Sequence, residues 1–230
     1  MLTLDKVTFM NGGFPLSADF TIDAHSVVAV IGPSGAGKST LLGGIAGFHE
    51  QVAGRLTWRG AAIGAVPPAQ RPVAMLFQDN NLFPHLTVFQ NVALALGPSL
   101  RPDAGARARI MDMLAQVGLE GLAERKPAAL SGGQQSRAAL ARALLQDRDL
   151  MLMDEPFSAL GPALKDRMLD LSVELAKAAG RTVVMVTHDP DDAVRVADTI
   201  VGVAAGRAFA PQPAQDFLRN PPEAFIDYLS

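Results

Sequence analysis

The chain has 230 residues, of which 49% are hydrophobic and 19% are charged, and its formal net charge is −3. This length suits one large domain, or a core with an inserted lobe, that buries roughly 70% of its unfolded surface. The slightly acidic balance gives no electrostatic case for binding nucleic acid. Because cysteine is absent, disulfides, thiolate chemistry and cysteine metal sites are excluded.

Two further absences bear on where the protein works. The first residues lack a charged leader followed by an apolar stretch, and no window approaches the roughly 20 apolar residues that cross a bilayer. We therefore expect a cytoplasmic protein whose membrane contact, if it has one, comes through a partner.

The predicted elements, in chain order, are those of an α/β protein. Short strands separated by turn residues indicate an antiparallel sheet near the N-terminus: Leu2–Phe9, Ala18–Ile22 and Gly54–Arg59. Nearly continuous apolar runs predict buried parallel strands: Ser26–Ile31, Val73–Phe77, Leu150–Met153 and Thr182–Val186. The predicted helices are Val88–Leu96, Ala104–Val117, Gly133–Leu145 and Pro162–Ala179, with one or two short helices in Pro213–Leu229. The first three helices form an inserted lobe at about residues 84–147, and residues 1–230 form a single domain without internal repeats.

A phosphate-binding loop follows the first of the predicted parallel strands, Ser26–Ile31. Its sequence is Gly32-Pro33-Ser34-Gly35-Ala36-Gly37-Lys38-Ser39-Thr40, which fits G-x-x-x-x-G-K-[ST]. Phosphate oxygens need several converging backbone N–H groups, and glycines leave that approach open. Lys38 supplies a charge to the outer phosphates, Ser39 offers a hydroxyl to Mg²⁺, and the following helix directs its dipole at the same anion. A glycine-rich turn without nucleotide is the alternative, but Lys38 and Ser39 together disfavour it.

Two acids close the apolar run at Leu150–Met153. Strand ends of this kind carry ligands in α/β proteins, so Asp154 is predicted on the magnesium side and Glu155 as the general base that polarises water. A solvated acidic turn is the alternative reading.

Two other strands end in polar residues suited to the same site. Gln78 follows Val73–Phe77 and could reach both magnesium and the attacking water, while His188 follows the last buried strand and could bond a γ-phosphate. Either could instead be an ordinary loop residue. The remaining histidines lack a comparable setting, and no pair has the spacing of a metal site: His25, His49 and His85.

A second glycine-containing turn opens the predicted helix near residue 133. Ser131, Gly132, Gly133 and Gln134 combine exposed N–H groups, a hydroxyl and a positive helix end, which are the parts of an anion site. Taken alone, this turn is equally a helix cap.

In this order, these segments resemble the ATPases of ABC transporters over nearly the whole chain. The matching elements are Gly32–Thr40 (Walker A), Gln78 (Q-loop), Leu130–Gln134 (signature), Met151–Glu155 (Walker B), Ser158–Leu160 (D-loop) and His188 (H-loop). The resemblance implies a P-loop NTPase (RecA-like) core, ATP and Mg²⁺ as ligands, and a homodimer in which one copy's signature covers the other copy's ATP. It also implies an integral membrane permease, an indirect periplasmic substrate-binding protein, and a place on the cytoplasmic face of the inner membrane.

Within that family, residues 71–100 are most similar to the ATPases of bacterial thiamine import. Cassettes for iron, sulfate or polyamines carry similar sequences, and no residue here would touch the solute. Two other classes of protein are the alternatives. Soluble, non-transport ATPases of this family usually carry two cassette domains or long coiled-coil arms, and a small-molecule kinase would lack the signature turn. The apolar group Leu82-Phe83-Pro84 is a candidate contact surface for a cytoplasmic helix of the permease.

Three positions depart from the family pattern. Asn11 stands where an aromatic residue usually stacks on adenine, which leaves Phe9 or Phe14 as substitutes. Gly161 stands where the D-loop usually continues with aspartate, and Ser136 replaces a glutamine after the signature.

Overall fold

A mixed sheet of eleven strands organises the computed structural model, which describes residues 1–229. The strands are β1 Leu2–Asn11, β2 Phe14–Ile22, β3 Val27–Ile31, β4 Glu50–Trp58, β5 Ala61–Ala62, β6 Val73–Leu76, β7 Leu150–Asp154, β8 Thr182–Val186, β9 Thr199–Ala204, β10 Arg207–Ala208 and β11 Gln212–Pro213. Their spatial order is β5-β4-β1-β2-β10-β9-β3-β8-β7-β6, and β11 pairs with β9 outside this path.

The sheet has an antiparallel half and a parallel half. β1 pairs antiparallel with both β2 and β4, and side chains on β2 alternate between buried and exposed from Leu16 to Ile22. β3, β6, β7, β8 and β9 pair only in parallel with one another. β3 and β8 are buried at every position, as expected for strands covered on both faces.

Eight α-helices accompany the sheet within residues 1–229. They are α1 Lys38–Ala46, α2 Val88–Ala93, α3 Ala104–Gln116, α4 Gly132–Leu145, α5 Pro162–Ala178, α6 Pro190–Val196, α7 Ala214–Arg219 and α8 Ile226–Leu229. The helices α2, α3 and α4 lie between β6 and β7 in sequence and share one apolar cluster with β7, β8 and α5. Within residues 1–229, every helix is too short or too polar to cross a lipid bilayer.

Two buried arginines close helix C-termini that would otherwise leave carbonyls without partners. Arg71 is 3% exposed and donates to Gly44 O and Ile45 O of α1, each at 2.8 Å, and to the carbonyls of Val66 and Gly64 at 2.8 and 2.7 Å. Arg181 does the same for α4, donating to the carbonyls of Ala143, Leu144 and Gln146.

The predicted fold class, an α/β P-loop core with an antiparallel sheet and inserted helices, is confirmed. The boundaries differ mainly at strand ends: β2 begins four residues before the predicted Ala18, and β4 begins four before Gly54. The strand β9 and the helix α6 were not predicted. β9 pairs with β3 at the centre of the molecule, so its position beside the phosphate loop matters for the site.

Candidate functional site

The phosphate loop leaves the buried strand β3 and enters α1 in a conformation that two glycines permit. Gly32 has φ +150°, and a Cβ there would lie 2.0 Å from the carbonyl oxygen of Val203 on β9. Gly37 caps α1 with φ 111°, in the left-handed region that side chains disfavour. Glycine is therefore required at both positions, at Gly32 because a Cβ would clash with Val203 O and at Gly37 because the backbone is left-handed.

Lys38 is the first residue of α1 and is only 8% exposed. Its Nζ donates to the loop's own carbonyls, at 2.8 Å to Gly32 O and 3.0 Å to Pro33 O. Burial lowers the pKa of Lys38, while the nearby charges of Glu155 and Asp154 act in the opposite direction. The ammonium group thus lies inside the loop, satisfied by two carbonyls and facing two acids.

Ser39 and Asp154 meet where the loop passes the end of β7. Ser39 Oγ donates to Asp154 Oδ1 at 3.3 Å, across 115 positions of sequence. Burial raises the pKa of Asp154, and the hydrogen bond from Ser39 partly offsets this rise. A hydroxyl and a carboxylate side by side are oxygen ligands of the kind that Mg²⁺ takes together with phosphate and water.

Glu155 follows immediately and faces His188. Its φ of 43° is left-handed, and its backbone N–H donates to Val186 O at 3.1 Å, which ties the acid to the end of β8. The nitrogen Nδ1 of His188 lies 3.1 Å from Glu155 Oε2. The strained backbone turns the carboxylate away from the strand direction and towards the imidazole.

The segment around His188 is held by an ionic network. Lys165 Nζ on α5 lies 2.6 Å from Asp189 Oδ2 and 2.8 Å from Asp192 Oδ1, and Thr187 Oγ1 donates to Asp192 Oδ2 at 2.9 Å. The lysine partner holds the pKa of Asp189 below its usual range. Sequence reasoning missed Lys165 and both aspartates. The only signal was the run of acids after His188.

Gln78 lies just past β6, exposed, with Nε2 donating to Ser158 Oγ at 3.3 Å. The predicted D-loop serine is therefore a direct neighbour of the predicted Q-loop side chain. Neither is among the residues that line the cavity beside the phosphate loop.

The second predicted anion site forms a helix cap in the single chain. Ser131 Oγ accepts from Gln134 N at 3.3 Å, and Gln134 Oε1 accepts from Ser131 N at 2.9 Å. This capping box leaves Ser131 and Gly132 exposed at the start of α4. Ser136 is buried, and its Oγ donates back to Gly132 O at 3.2 Å.

A cavity of about 300 Å³ lies over the phosphate loop. It is lined by Asn11, Phe14, Ser34, Gly35, Gly37, Lys38, Ser39, Thr40 and Glu155. The signature residues 131–134 do not line it, so one chain brings together the cradle and the acids but not the second turn.

The structure separates the two aromatic residues that the sequence left open for adenine. Phe9 is fully buried beneath α1, where a Cβ on Gly44 would lie 2.3 Å from its ring. Phe14 is 37% exposed and borders the cavity, with its ring 3.0 Å from the Cβ position of Gly37. Asn11 donates to Thr40 Oγ1 at 3.4 Å. Phe14 is therefore the one of these two rings that a base could reach.

These residues fit a magnesium–nucleotide complex. The loop offers N–H groups and a buried ammonium to phosphate, and Ser39 with Asp154 offers two oxygens to a hard cation. Within residues 1–229, no cluster of three histidine, aspartate or glutamate side chains could hold a metal without such a ligand. Fold and site together define a P-loop nucleoside triphosphatase of the cassette type.

The chain belongs to the ABC transporter family, whose sequence pattern matches residues 16–158. A relative from Ruegeria sp. (strain TM1040), named thiamine import ATP-binding protein ThiQ, is 56% identical over 229 residues, covering 100% of this chain and 99% of its own.

Solved structures agree on the fold. CbiO1 from Clostridium perfringens, described as part of the ABC transporter complex cbiONQ, superposes with a TM-score of 0.84 at 26% identity, covering 95% of this chain and 90% of that one. The ATP-binding cassette MJ0796, described as a dimer bound to ADP and Pi, gives a TM-score of 0.79 at 29% identity, covering 93% and 99%.

Proposed function

We propose that this chain is the ATP-hydrolysing subunit of an ABC importer, that it works as one cassette domain, and that the imported solute is thiamine or a thiamine phosphate. The observation that carries the solute is the 56% identity over the full chain to a protein named for thiamine import. The observation that carries the activity is the meeting of Lys38, Ser39, Asp154 and Glu155 around one loop.

Nucleotide binding begins at the loop that connects β3 to α1. The triphosphate takes the loop N–H groups and the Lys38 ammonium, which leaves its two carbonyl partners, while adenine stacks on Phe14. Ser39, Asp154 and Gln78 are the residues that would hold Mg²⁺. When bound, that ion neutralises charge on the outer phosphates.

Hydrolysis needs a water held in line with the γ-phosphate. Glu155 accepts the proton of that water, and His188, 3.1 Å from Glu155, donates a hydrogen bond to the γ-phosphate. Gln78 orients the water from the Q-loop side. The left-handed backbone of Glu155 fixes the direction of its carboxylate before substrate arrives.

A second copy of the chain completes the site. Ser131, Gly132, Gly133 and Gln134 form the capped start of α4, where Ser131 and Gly132 are exposed, Gly133 is buried and Gln134 is half-buried. The exposed positive end of this helix suits a phosphate held by the opposite copy. The cassette MJ0796, described as a dimer bound to ADP and Pi, supports a dimer here. We propose that the two copies pack head to tail. ATP then acts as a ligand shared by two copies, so its binding closes the dimer and its hydrolysis releases it.

The surface that follows Gln78 suits a permease. Phe83 is 47% exposed and Pro84 is also exposed, whereas Leu82 packs against the core and does not belong to this surface. Phe48 is also exposed, at 54%, with its ring 6.1 Å from that of Phe77, the residue before Gln78. We assign this patch to a cytoplasmic helix of the permease, which places the chain at the inner membrane and links it indirectly to a periplasmic binding protein.

The test is uptake of labelled thiamine by cells that lack the native gene and carry either the wild-type chain or Glu155→Gln. Uptake restored by the wild type alone supports the proposal. If neither restores thiamine uptake while the wild type restores transport of iron, sulfate or a polyamine, the solute assignment is wrong. If the purified chain hydrolyses ATP but never co-purifies with a multispan permease, a soluble, non-transport cassette replaces the importer.

A further inference from the structure

A polar contact from the end of the chain reaches the nucleotide site. The hydroxyl of Tyr228 on α8 donates to the backbone carbonyl of His188 at 2.9 Å. It joins positions 40 residues apart, and Tyr228 is the only tyrosine in the chain. None of the family motifs described above includes this residue.

The segment that carries Tyr228 is anchored in the core. Phe225, just before α8, is fully buried and packs edge to face on Phe209 and Phe217, with centroid distances of 5.5 and 5.3 Å. A Cβ on Gly202 of β9 would lie 2.5 Å from its ring. This cluster includes Ile31, the last residue before the phosphate loop, so the tail packs directly behind the cradle.

The contact adds a restraint to a peptide that is held at its other end: Asp189 N donates to Thr187 Oγ1 at 3.1 Å, and Tyr228 holds the His188 carbonyl of the same peptide. Lys165 holds Asp189, and Asp192 holds the Thr187 hydroxyl. The peptide between them carries the imidazole that lies 3.1 Å from Glu155. A hydrogen bond at the His188 carbonyl restrains rotation of this peptide, and with it the direction of the ring.

The environment of the phenol agrees with a fixed contact. Burial raises the pKa of Tyr228, the charges of Asp189 and Glu155 add to the rise, and a backbone hydrogen bond from Gly32 opposes it. The hydroxyl thus lies beside the segment that bears His188.

We propose that Tyr228 is a positioning residue of the ATPase site: its hydroxyl holds the His188 peptide so that the imidazole faces Glu155. This rests on the proposed function of His188 in hydrolysis. Tyr228 is not among the residues that line the cavity over the phosphate loop. It acts through His188, and its loss should slow the chemical step without weakening ATP binding.

The experiment compares Tyr228→Phe with wild type in the complete transporter complex. We expect kcat for ATP hydrolysis to fall roughly three- to tenfold, the range for one lost neutral hydrogen bond, with KM for ATP within about twofold of wild type. The matched control is Leu218→Ala, which removes packing from the same cluster without a polar contact to the site. It should lower the melting temperature and leave kcat unchanged.

A second readout does not depend on hydrolysis. The chain has four histidines, and His188→Ala identifies the imidazole NMR signal of His188 by its loss. In Tyr228→Phe that signal should shift while the other three stay in place. An unshifted His188 signal in Tyr228→Phe overturns the proposal. So does a Tyr228→Phe kcat equal to that of wild type, or an equal fall of kcat in Tyr228→Phe and Leu218→Ala. If wild type itself hydrolyses no ATP, the proposed function fails, and the NMR comparison still decides whether Tyr228 positions His188.

Discussion

Replacing Phe14 with alanine tests how this chain recognises adenine without an aromatic residue at position 11. Phe14 is 37% exposed and lines the cavity above the phosphate loop, and the edge of its ring lies close to Gly37 and Gly206. Stacking of a base on an aromatic side chain contributes about 1–3 kcal/mol. Because this ring is only 37% exposed, we expect the lower part of that range, about 1–2 kcal/mol, or roughly five- to thirtyfold weaker ATP binding.

The assay is titration of the purified chain with fluorescent ATP, followed by competition with GTP and inorganic triphosphate. Phe14→Tyr should bind as wild type does, and Met111→Ala, which removes an apolar side chain 38% exposed on α3, serves as the control for surface changes. Inorganic triphosphate should bind wild type and Phe14→Ala with the same affinity, because it has no base. Equal ATP affinity in Phe14→Ala and Met111→Ala would refute the assignment, and so would a larger loss in Asn11→Ala.

Three further changes probe the site and its support. Glu155→Gln keeps the backbone geometry and removes the proton acceptor, so it should bind ATP, lose turnover by a factor of about 100 or more, and elute as a dimer in size-exclusion chromatography with ATP. Burial raises the pKa of Asp154, so its charge costs stability above the folded-state pKa and not in acid. Asp154→Asn should therefore raise the melting temperature of the nucleotide-free protein at neutral pH, lose this advantage as pH falls, and abolish the Mg²⁺ dependence of ATP binding. Arg71→Met removes four hydrogen bonds to carbonyls, two of them buried and two partly buried, and should lower the unfolding free energy in urea by about 3–5 kcal/mol. Arg148→Ala removes an exposed hydrogen bond to Ala69 O and should cost about 0.5 kcal/mol.

The sequence predicted the parts of the fold whose pattern is continuous. The strands β3, β7 and β8 are uninterrupted apolar runs, and α5 carries a regular stripe closed by Gly180, so their boundaries were within one or two residues. β9 was missed because its apolar run is short and interrupted by Gly202, although four of its residues pair with β3. What identifies β9 as a strand is its pairing, which a local pattern does not contain.

The site divides in a similar way. Motif spacing named the loop and the residues at strand ends, and in the structure Lys38, Ser39 and Glu155 line one cavity while Ser39 contacts Asp154. Their roles in catalysis stay a prediction. The supporting contacts of Lys165 and Tyr228 join elements 24 and 40 positions apart. Single charged or aromatic residues at such separations carry no periodic signal. Likewise, the choice of Phe14 over Phe9 depends on which face of the antiparallel sheet packs on α1, and only the tertiary structure decides that.

The two carbonyls that hold Lys38 make entry into this loop an exchange. An arriving anion must displace Gly32 O and Pro33 O from the ammonium group before it gains that charge, and both oxygens must then find water or lose their partner. A single phosphate forms few new hydrogen bonds to offset the two that Lys38 loses. A triphosphate forms more of them, because each phosphate group contacts further N–H groups of the loop. The loop therefore discriminates by ligand charge before any base or second subunit is engaged.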